Sequence, residues 1–280
     1  MLLNMNSLYS FTTKKKLFIL FLTSLLLFSG YAVASDAVLD CMIVKNENKI
    51  IIQEGKNCNT LYSPNSTFKI PLAVIGFESG ELVGRHTPIW MPRKPITFLK
   101  SFHQGEHSPS SWMRFSVVWY SQILTSKIGI EKLRLYLDKI NYGNNDLSGD
   151  ATKNNGLTES WLSSSLKITP LQQIEFIENL AKDKLRFSKE SQIKTKDLIK
   201  LFEESYFSNG WTIYGKTGTS DFDKINFKEG YFVGFGEKNG KIVSFVVHIS
   251  GEFGDKEVNA GGMKAKQILI NKMTNEGIFN

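Results

Sequence analysis

The feature that most restricts the fold of this chain is a change of hydrophobic period along it. The middle of the sequence repeats its apolar residues at helical spacing, over 66–80, 115–127, 130–140, 170–181 and 191–205. After residue 210 the period shortens. Trp211 to Lys216, Gly230 to Phe235 and Lys241 to Ser250 are short runs rich in aromatic and β-branched residues. Asn239-Gly240, between the last two, is a strong hairpin signal. Two similar runs open the chain, Met42 to Lys45 and Lys49 to Gln53, with turn residues Asn46-Glu47-Asn48 between them. A last helical stretch covers Gly261 to Met273. Strands from both ends must therefore share one sheet, with helices inserted between them. The expected class is α+β: an antiparallel β-sheet flanked by terminal helices, carrying an inserted, mostly helical subdomain.

The first 34 residues are expected to stand apart from this fold. Lys14, Lys15 and Lys16 precede an apolar run from Leu17 to Phe28, and Ala32-Val33-Ala34 has the small residues of a cleavage site. This is a signal-peptide pattern. The apolar run is about 12 residues, short of the roughly 20 that a membrane span needs. The expected organisation is a leader over 1–34 and a single domain over 35–280. Within that domain, 35–65 and 166–280 form a mixed α/β part and 66–165 the mostly helical part. Export to the periplasm or medium follows, with no stable membrane anchor. The two cysteines suit that compartment. Cys41 and Cys58 flank the first two strand-like runs, so a hairpin would bring them together to pair, with two reduced thiols in the core as the alternative.

The formal net charge is +7. The lysines are scattered, without a basic stripe interleaved with aromatic residues, so no nucleic-acid partner is expected. No metal is expected either. His103-Gln104-Gly105-Glu106-His107 fits an inverted zinc-protease pattern, but Gly105 interrupts the helix such a site requires and Ser108-Pro109 follows at once.

Three short motifs carry chemistry. Ser66-Thr67-Phe68-Lys69 sets a serine and a lysine one helical turn apart on one face. The hydroxyl needs a base, and burial among apolar groups would keep the amine neutral. Ser116-Val117-Val118, at the start of an expected helix, offers a second hydroxyl to relay a proton. Lys216-Thr217-Gly218 ends an expected strand, where an extended acyl substrate could lie alongside. Singly, each motif is weak. In this order they resemble the penicilloyl-serine transferases, which include penicillin-binding proteins and serine β-lactamases.

Further elements narrow the resemblance. Ser63-Pro64-Asn65-Ser66-Thr67-Phe68-Lys69-Ile70-Pro71, Tyr142-Gly143-Asn144, Trp161-Leu162 and Leu166-Lys167-Ile168 together resemble class D β-lactamases over nearly the whole mature chain. Class A enzymes would carry Ser-Asp-Asn where this chain has Ser116-Val117-Val118. The resemblance implies hydrolysis of small-molecule β-lactams, with Ser66 as nucleophile. It implies no cofactor beyond carbon dioxide, bound as a carbamate on Lys69 and serving as general base. It assigns the proton relay to Ser116 and electrostatic help to Lys216. Trp161 would donate its indole N–H to the carbamate, and Val118, Phe68 and Leu162 would wall it. Tyr142, Thr217, Gly218 and Thr219 would line the substrate site, with the backbone N–H groups of Ser66 and Thr219 as oxyanion donors. Two departures stand out. Ser164 occupies a position often held by glycine, and the final helix lacks the arginine that usually grips the substrate carboxylate. Lys264 or Lys266 would take its place, with a looser grip, because an ammonium lacks the guanidinium fork. A β-lactam sensor that is acylated without turnover is the alternative function.

Overall fold

Strand β1 (Val38–Asn46) and strand β2 (Lys49–Glu54) form the opening hairpin of a computed structural model that describes residues 37–92, 103–201, 210–220, 228–251 and 260–279. The expected leader over 1–34, and residues 221–227 of the loop after Thr219, lie outside these residues. The hairpin turns through Glu47 and Asn48, both at positive φ (48° and 70°), as a tight turn between right-twisted strands demands. The polypeptide then passes through a 3₁₀ turn, Asn65–Phe68, into helix α1 (Lys69–Glu78). Helices α2 (Pro109–Phe115), α3 (Val118–Ile128), α4 (Ile130–Lys139), the short α5 (Gly156–Glu159), α6 (Pro170–Ala181) and α7 (Lys189–Ile199) follow. Strands β3 (Thr212–Thr219), β4 (Lys228–Lys238) and β5 (Lys241–Gly251) and helix α8 (Ala260–Asn275) complete the chain.

The sheet is antiparallel, in the order β2-β1-β5-β4-β3. The first strand and the last thus lie side by side at its centre, and β3 forms an edge. The strand period of two sends alternate residues to two cores. Met42, Val44, Phe245, Val247 and Ile249 meet Ala265, Leu269 and Met273 of α8. Ile43, Val233, Phe235 and Val246 face the helical side, with Phe68, Ile70, Trp161 and Ile177. Because both faces are covered, β1 and β5 carry long buried runs.

The helical stretch expected over 115–127 is α3, which starts only at Val118, and α2, which was not anticipated, precedes it. Ser116 adopts a left-handed conformation (φ 60°) as the C-cap of α2, and Val117 leads into α3. The first helix of this pair starts from a capping box, Ser108 with Ser111, and a proline at its first position. Likewise the helix expected from Ser66 begins as a 3₁₀ turn and becomes α-helical only at Lys69. His103 and His107 share no helix: His103 Nε2 donates to the Phe115 carbonyl (2.8 Å), and His107 pairs its backbone with Trp90. Among the described residues no helix is long and apolar enough to cross a membrane.

A disulfide joins Cys41 to Cys58, 17 residues on. Beside it, Asn57 donates to both the backbone carbonyl and the carboxylate of Asp40, and His248 Nδ1 lies 3.0 Å from the same carboxylate. Closing a loop of this length stabilises by about 3 kcal/mol in the chain-entropy model. Dithiothreitol should therefore lower the urea midpoint of the wild type to that of the Cys41→Ser/Cys58→Ser variant, and leave the variant unmoved. Equal midpoints for oxidised wild type and variant would show that the bridge contributes nothing.

Candidate active site

Ser66 is the exception in a buried stretch. From Ser63 to Phe77 every residue is buried except Ser66, which is half-buried. A hydroxyl is thus presented to solvent by a segment otherwise held in the core. Several distant segments fix it there. Thr67 Oγ1 donates to the Pro64 carbonyl (2.6 Å) and accepts from Gln173 Nε2 of α6 (3.0 Å). The backbone of Tyr62 pairs with that of Ile168 in both directions. Asn65, at φ 48°, donates its N–H to the Trp161 carbonyl (3.0 Å). Ser63 Oγ donates to that same carbonyl (2.9 Å) and accepts from Ser163 N (2.9 Å).

The two elements between the second and third motifs are therefore positioning devices. Gly143, at φ 61°, must be a glycine, since a Cβ there would lie 2.0 Å from the Lys167 carbonyl oxygen. That approach lets Asn144 N donate to the Lys167 carbonyl while Asn144 Oδ1 accepts from Lys167 N (both 2.9 Å). The zipped segment continues into Ile168 and so to Tyr62, four residues before Ser66. Ser164, where the resemblance led us to expect glycine, is accommodated: its hydroxyl donates to Asp150 (2.6 Å).

Behind Ser66, Lys69 is 1% exposed. Burial, and then the charge of Lys216, push its amine well below the ordinary lysine value. Lys216, on β3, is itself pushed down to about 7 by burial. Its Nζ donates to the Thr217 carbonyl (2.9 Å). Trp161 is fully buried and stacks on Phe68 with ring centroids 5.2 Å apart. Lys69 Nζ, Trp161 Nε1 and Ser116 Oγ are all buried without a hydrogen-bond partner. Each such group costs about 1–3 kcal/mol when left unpaired. Val117 and Leu162 belong to the same core as Phe68 and Trp161, and Val118 is half-buried at the start of α3. Tyr142 is 1% exposed, with its ring against Phe68 and Phe176. It belongs to the packing behind the turn rather than to an open substrate surface.

Strand β3 closes the other side. A Cβ on Gly218 would lie 3.0 Å from Thr67 Cγ2 and 3.1 Å from the Pro64 carbonyl oxygen. The glycine lets the strand lie directly against the 3₁₀ turn. Thr219 Oγ1 accepts from Gly262 N (3.0 Å), which ties the end of β3 to the first turn of α8. Of the two lysines considered for a substrate carboxylate, Lys264 is exposed, whereas Lys266 is buried and lines a cleft with Lys216 and Thr217. A helical period alone could not choose between them. Gln173 was not anticipated either, although a glutamine on the apolar face of an amphipathic helix was a visible signal.

A model of the penicillin-binding-protein transpeptidase domain matches residues 42–274. The sequence is 37% identical to β-lactamase OXA-9 of Klebsiella pneumoniae over 251 residues, 85% of this chain and 89% of that protein. Among solved structures, the class D β-lactamase OXA-427 superposes with a TM-score of 0.75 at 32% identity, over 84% of this chain and 97% of the other. The C-terminal domain of the Bacillus licheniformis BlaR penicillin-receptor gives the same TM-score at 28% identity, over 87% of this chain and 92% of that domain. The turn that carries Ser66 packed against the third motif on β3, on a sequence this similar to OXA-9 over 85% of its length, makes the chain a member of the class D β-lactamases within the penicillin-binding-protein transpeptidase family.

Proposed function

We propose that the protein hydrolyses the β-lactam amide of penicillin-type antibiotics through an acyl-serine intermediate on Ser66, and so confers resistance to them. The observation that carries this reading is the accessible hydroxyl of Ser66 on a buried segment, with a desolvated lysine behind it. Ser66 Oγ attacks the lactam carbonyl, and the backbone N–H groups of Ser66 and Thr219 receive the oxyanion. Ser116 Oγ passes a proton to the departing ring nitrogen, with Lys216 close to the path. Lys216 and Thr217 hold the substrate carboxylate. Export before folding accords with the disulfide and with the leader pattern of residues 1–34.

The donors around Lys69 suit carbon dioxide held on its amine. Burial keeps the amine in the neutral form that can react. Trp161 Nε1 and Ser116 Oγ lack partners and can donate to an anion there. Phe68, Val118 and Leu162 limit the access of bulk water. Carboxylated in this way, Lys69 would supply an oxygen base strong enough to take a proton from a hydroxyl or from water.

The likeness to the BlaR domain supports a second reading, a receptor that is acylated and stays so. Turnover of a chromogenic cephalosporin separates the two. Many cycles per molecule mark the hydrolase, and one stoichiometric burst marks the receptor. Ser66→Ala should lower turnover by about a thousandfold or more while the circular dichroism spectrum stays unchanged. Hydrolysis near the wild-type rate in this variant would rule out both readings.

Trp161→Phe keeps the ring but removes the N–H donor. The loss of one charge-assisted hydrogen bond, about 1.5–3 kcal/mol, should slow deacylation by roughly tenfold to a hundredfold. Progress curves should then show a burst followed by a stall, partly relieved by bicarbonate. Carbon-13 NMR with labelled bicarbonate should give a carbamate signal that Lys69→Ala abolishes. Kinetics indifferent to bicarbonate, with no such signal at pH 8, would assign Lys69 the role of a free amine.

The lysine charges also set a pH dependence of stability. In buffer free of carbon dioxide, Lys216 titrates at about 7 in the folded chain against an ordinary 10.5. Between those values the unfolded chain binds the extra proton, so this contribution to stability rises with pH from about 7 to 10.5 and is fully unfavourable below 7. Lys216→Met should raise the melting temperature at pH 7, flatten that slope and slow acylation. A slope identical to that of the wild type would place the titration elsewhere.

A further inference from the structure

His248 lies where two supports of the catalytic turn meet. On β5 it stands opposite Tyr231 of β4, and Tyr231 stands in turn opposite Gly218 of β3. Gly218 lies against the turn that bears Ser66, and Thr219 follows it. Cross-strand neighbours on one face of a sheet touch, and the ring centroids of His248 and Tyr231 are 4.3 Å apart. Tyr62, four residues before Ser66, lays its ring on both. Its centroid is 3.8 Å from that of His248, stacked at 27°, and 6.3 Å from that of Tyr231, edge-on. The segment leading into the nucleophile therefore rests on a floor made by His248 and Tyr231, and the turn after it rests on Gly218.

One carboxylate ties this floor to that segment. His248 is fully buried, and its Nδ1 lies 3.0 Å from Asp40 Oδ2. Asn57 Nδ2 donates to Asp40 Oδ1 (3.0 Å), and Asn57 N donates to the Asp40 carbonyl (2.9 Å). Burial works against the charge of Asp40, but hydrogen bonds from His248, Ser250 and Asn57 outweigh it and hold the carboxyl below its ordinary value. An ionised carboxylate only accepts, so Nδ1 carries the imidazole proton, which fixes the tautomer and the orientation of the ring. Residues 57–62 are thus pinned at one end to Asp40 and at the other to His248, which Asp40 itself holds.

We propose that His248 is a positioning residue for the reaction at Ser66: held by Asp40 and packed against Tyr62 and Tyr231, its imidazole sets the separation between the turn that bears the nucleophile and the end of β3, and with it the spacing of the two oxyanion donors, Ser66 N–H and Thr219 N–H. The inference rests on Ser66 being the nucleophile, and it names a residue that acts through its neighbours rather than on the substrate.

The experiment measures acylation of Ser66 by benzylpenicillin with rapid-quench mass spectrometry, a step that hydrolase and receptor share. Two probes are bound alongside. Phenylboronic acid bonds to the serine hydroxyl and presents an oxygen to the oxyanion donors. Penicilloate, the ring-opened product, engages Lys216 and Thr217 without a bond to Ser66. His248→Asn keeps an N–H for Asp40 but removes the ring. It should lower the acylation rate constant at saturating penicillin, and the affinity for phenylboronic acid, by about tenfold each. The Kd of penicillin and the affinity for penicilloate should stay within about twofold of wild type. His248→Phe restores a ring and should recover most of both losses. Asp40→Asn keeps an acceptor for Nδ1 without the charge, and should show a smaller loss with the same split. This second variant carries the comparison if circular dichroism shows that His248→Asn does not fold. Equal losses of phenylboronic acid and penicilloate affinity, or a loss that His248→Phe does not relieve, would make His248 part of the general packing and overturn the proposal. Acylation of His248→Asn at the wild-type rate would overturn it too, with the nucleophile assignment intact. Wild-type protein that penicillin does not acylate would instead overturn the reading of Ser66.

Discussion

The arrangement depends on the desolvation of one amine. A lysine at 1% exposure cannot keep its charge in an apolar core without a counter-ion, and the nearest identified charge is another lysine. The core therefore holds Lys69 neutral, which turns an inert ammonium into a chemically usable group. The same burial leaves Trp161 Nε1 and Ser116 Oγ unpartnered. A fold optimised for stability alone would fill these positions with hydrocarbon.

Such a site must be rigid, and the rigidity comes from chain segments remote in sequence. Asn65, Ser116 and Ser163 all occupy the left-handed region, which costs a non-glycine residue of order 1–3 kcal/mol. Tertiary hydrogen bonds hold two of them: Asn65 N and Ser63 Oγ converge on the Trp161 carbonyl, and Ser163 N returns a bond to Ser63. The Tyr142-Gly143-Asn144 element acts one step further back. It fastens Lys167, whose neighbour Ile168 pairs with Tyr62. Gly143 and Gly218 serve these close approaches by different means. The first supplies positive φ and room beside a carbonyl oxygen, the second only room beside Thr67.

The sheet supplies the opposing wall. Since β1 and β5 meet at its centre, β3 is left as an edge strand, free to line the cleft with Gly215, Lys216 and Thr217. Helix α8 packs against β4 through Gly261 and against β3 through Gly262, and its hydrogen bond to Thr219 ties the end of β3 in place. Lys266 reaches the cleft from the same helix. Charge along the strand edge is thus contributed by elements far apart in the chain.

The sequence by itself determined the α+β class, the two hairpins, the bounds of α4, α6 and α8 to within two residues, and the three motifs. These are local matters: period, turn chemistry and residue spacing operate over a few residues. The bounds of α6 match the apolar repeat, and Asn239-Gly240 turns as its residues require. Helix α2 and the left-handed cap at Ser116 were not legible, because seven residues are too few to set a clear helical period and only packing makes Ser116 a cap. Tertiary structure also decided between Lys264 and Lys266, buried Tyr142 behind the turn, and recruited Gln173 to Thr67. The cleft along β3 was invisible for the same reason. Arg85, Arg114, Lys200 and Lys266 are scattered along the chain, and only the fold brings them to line one cleft beside β3.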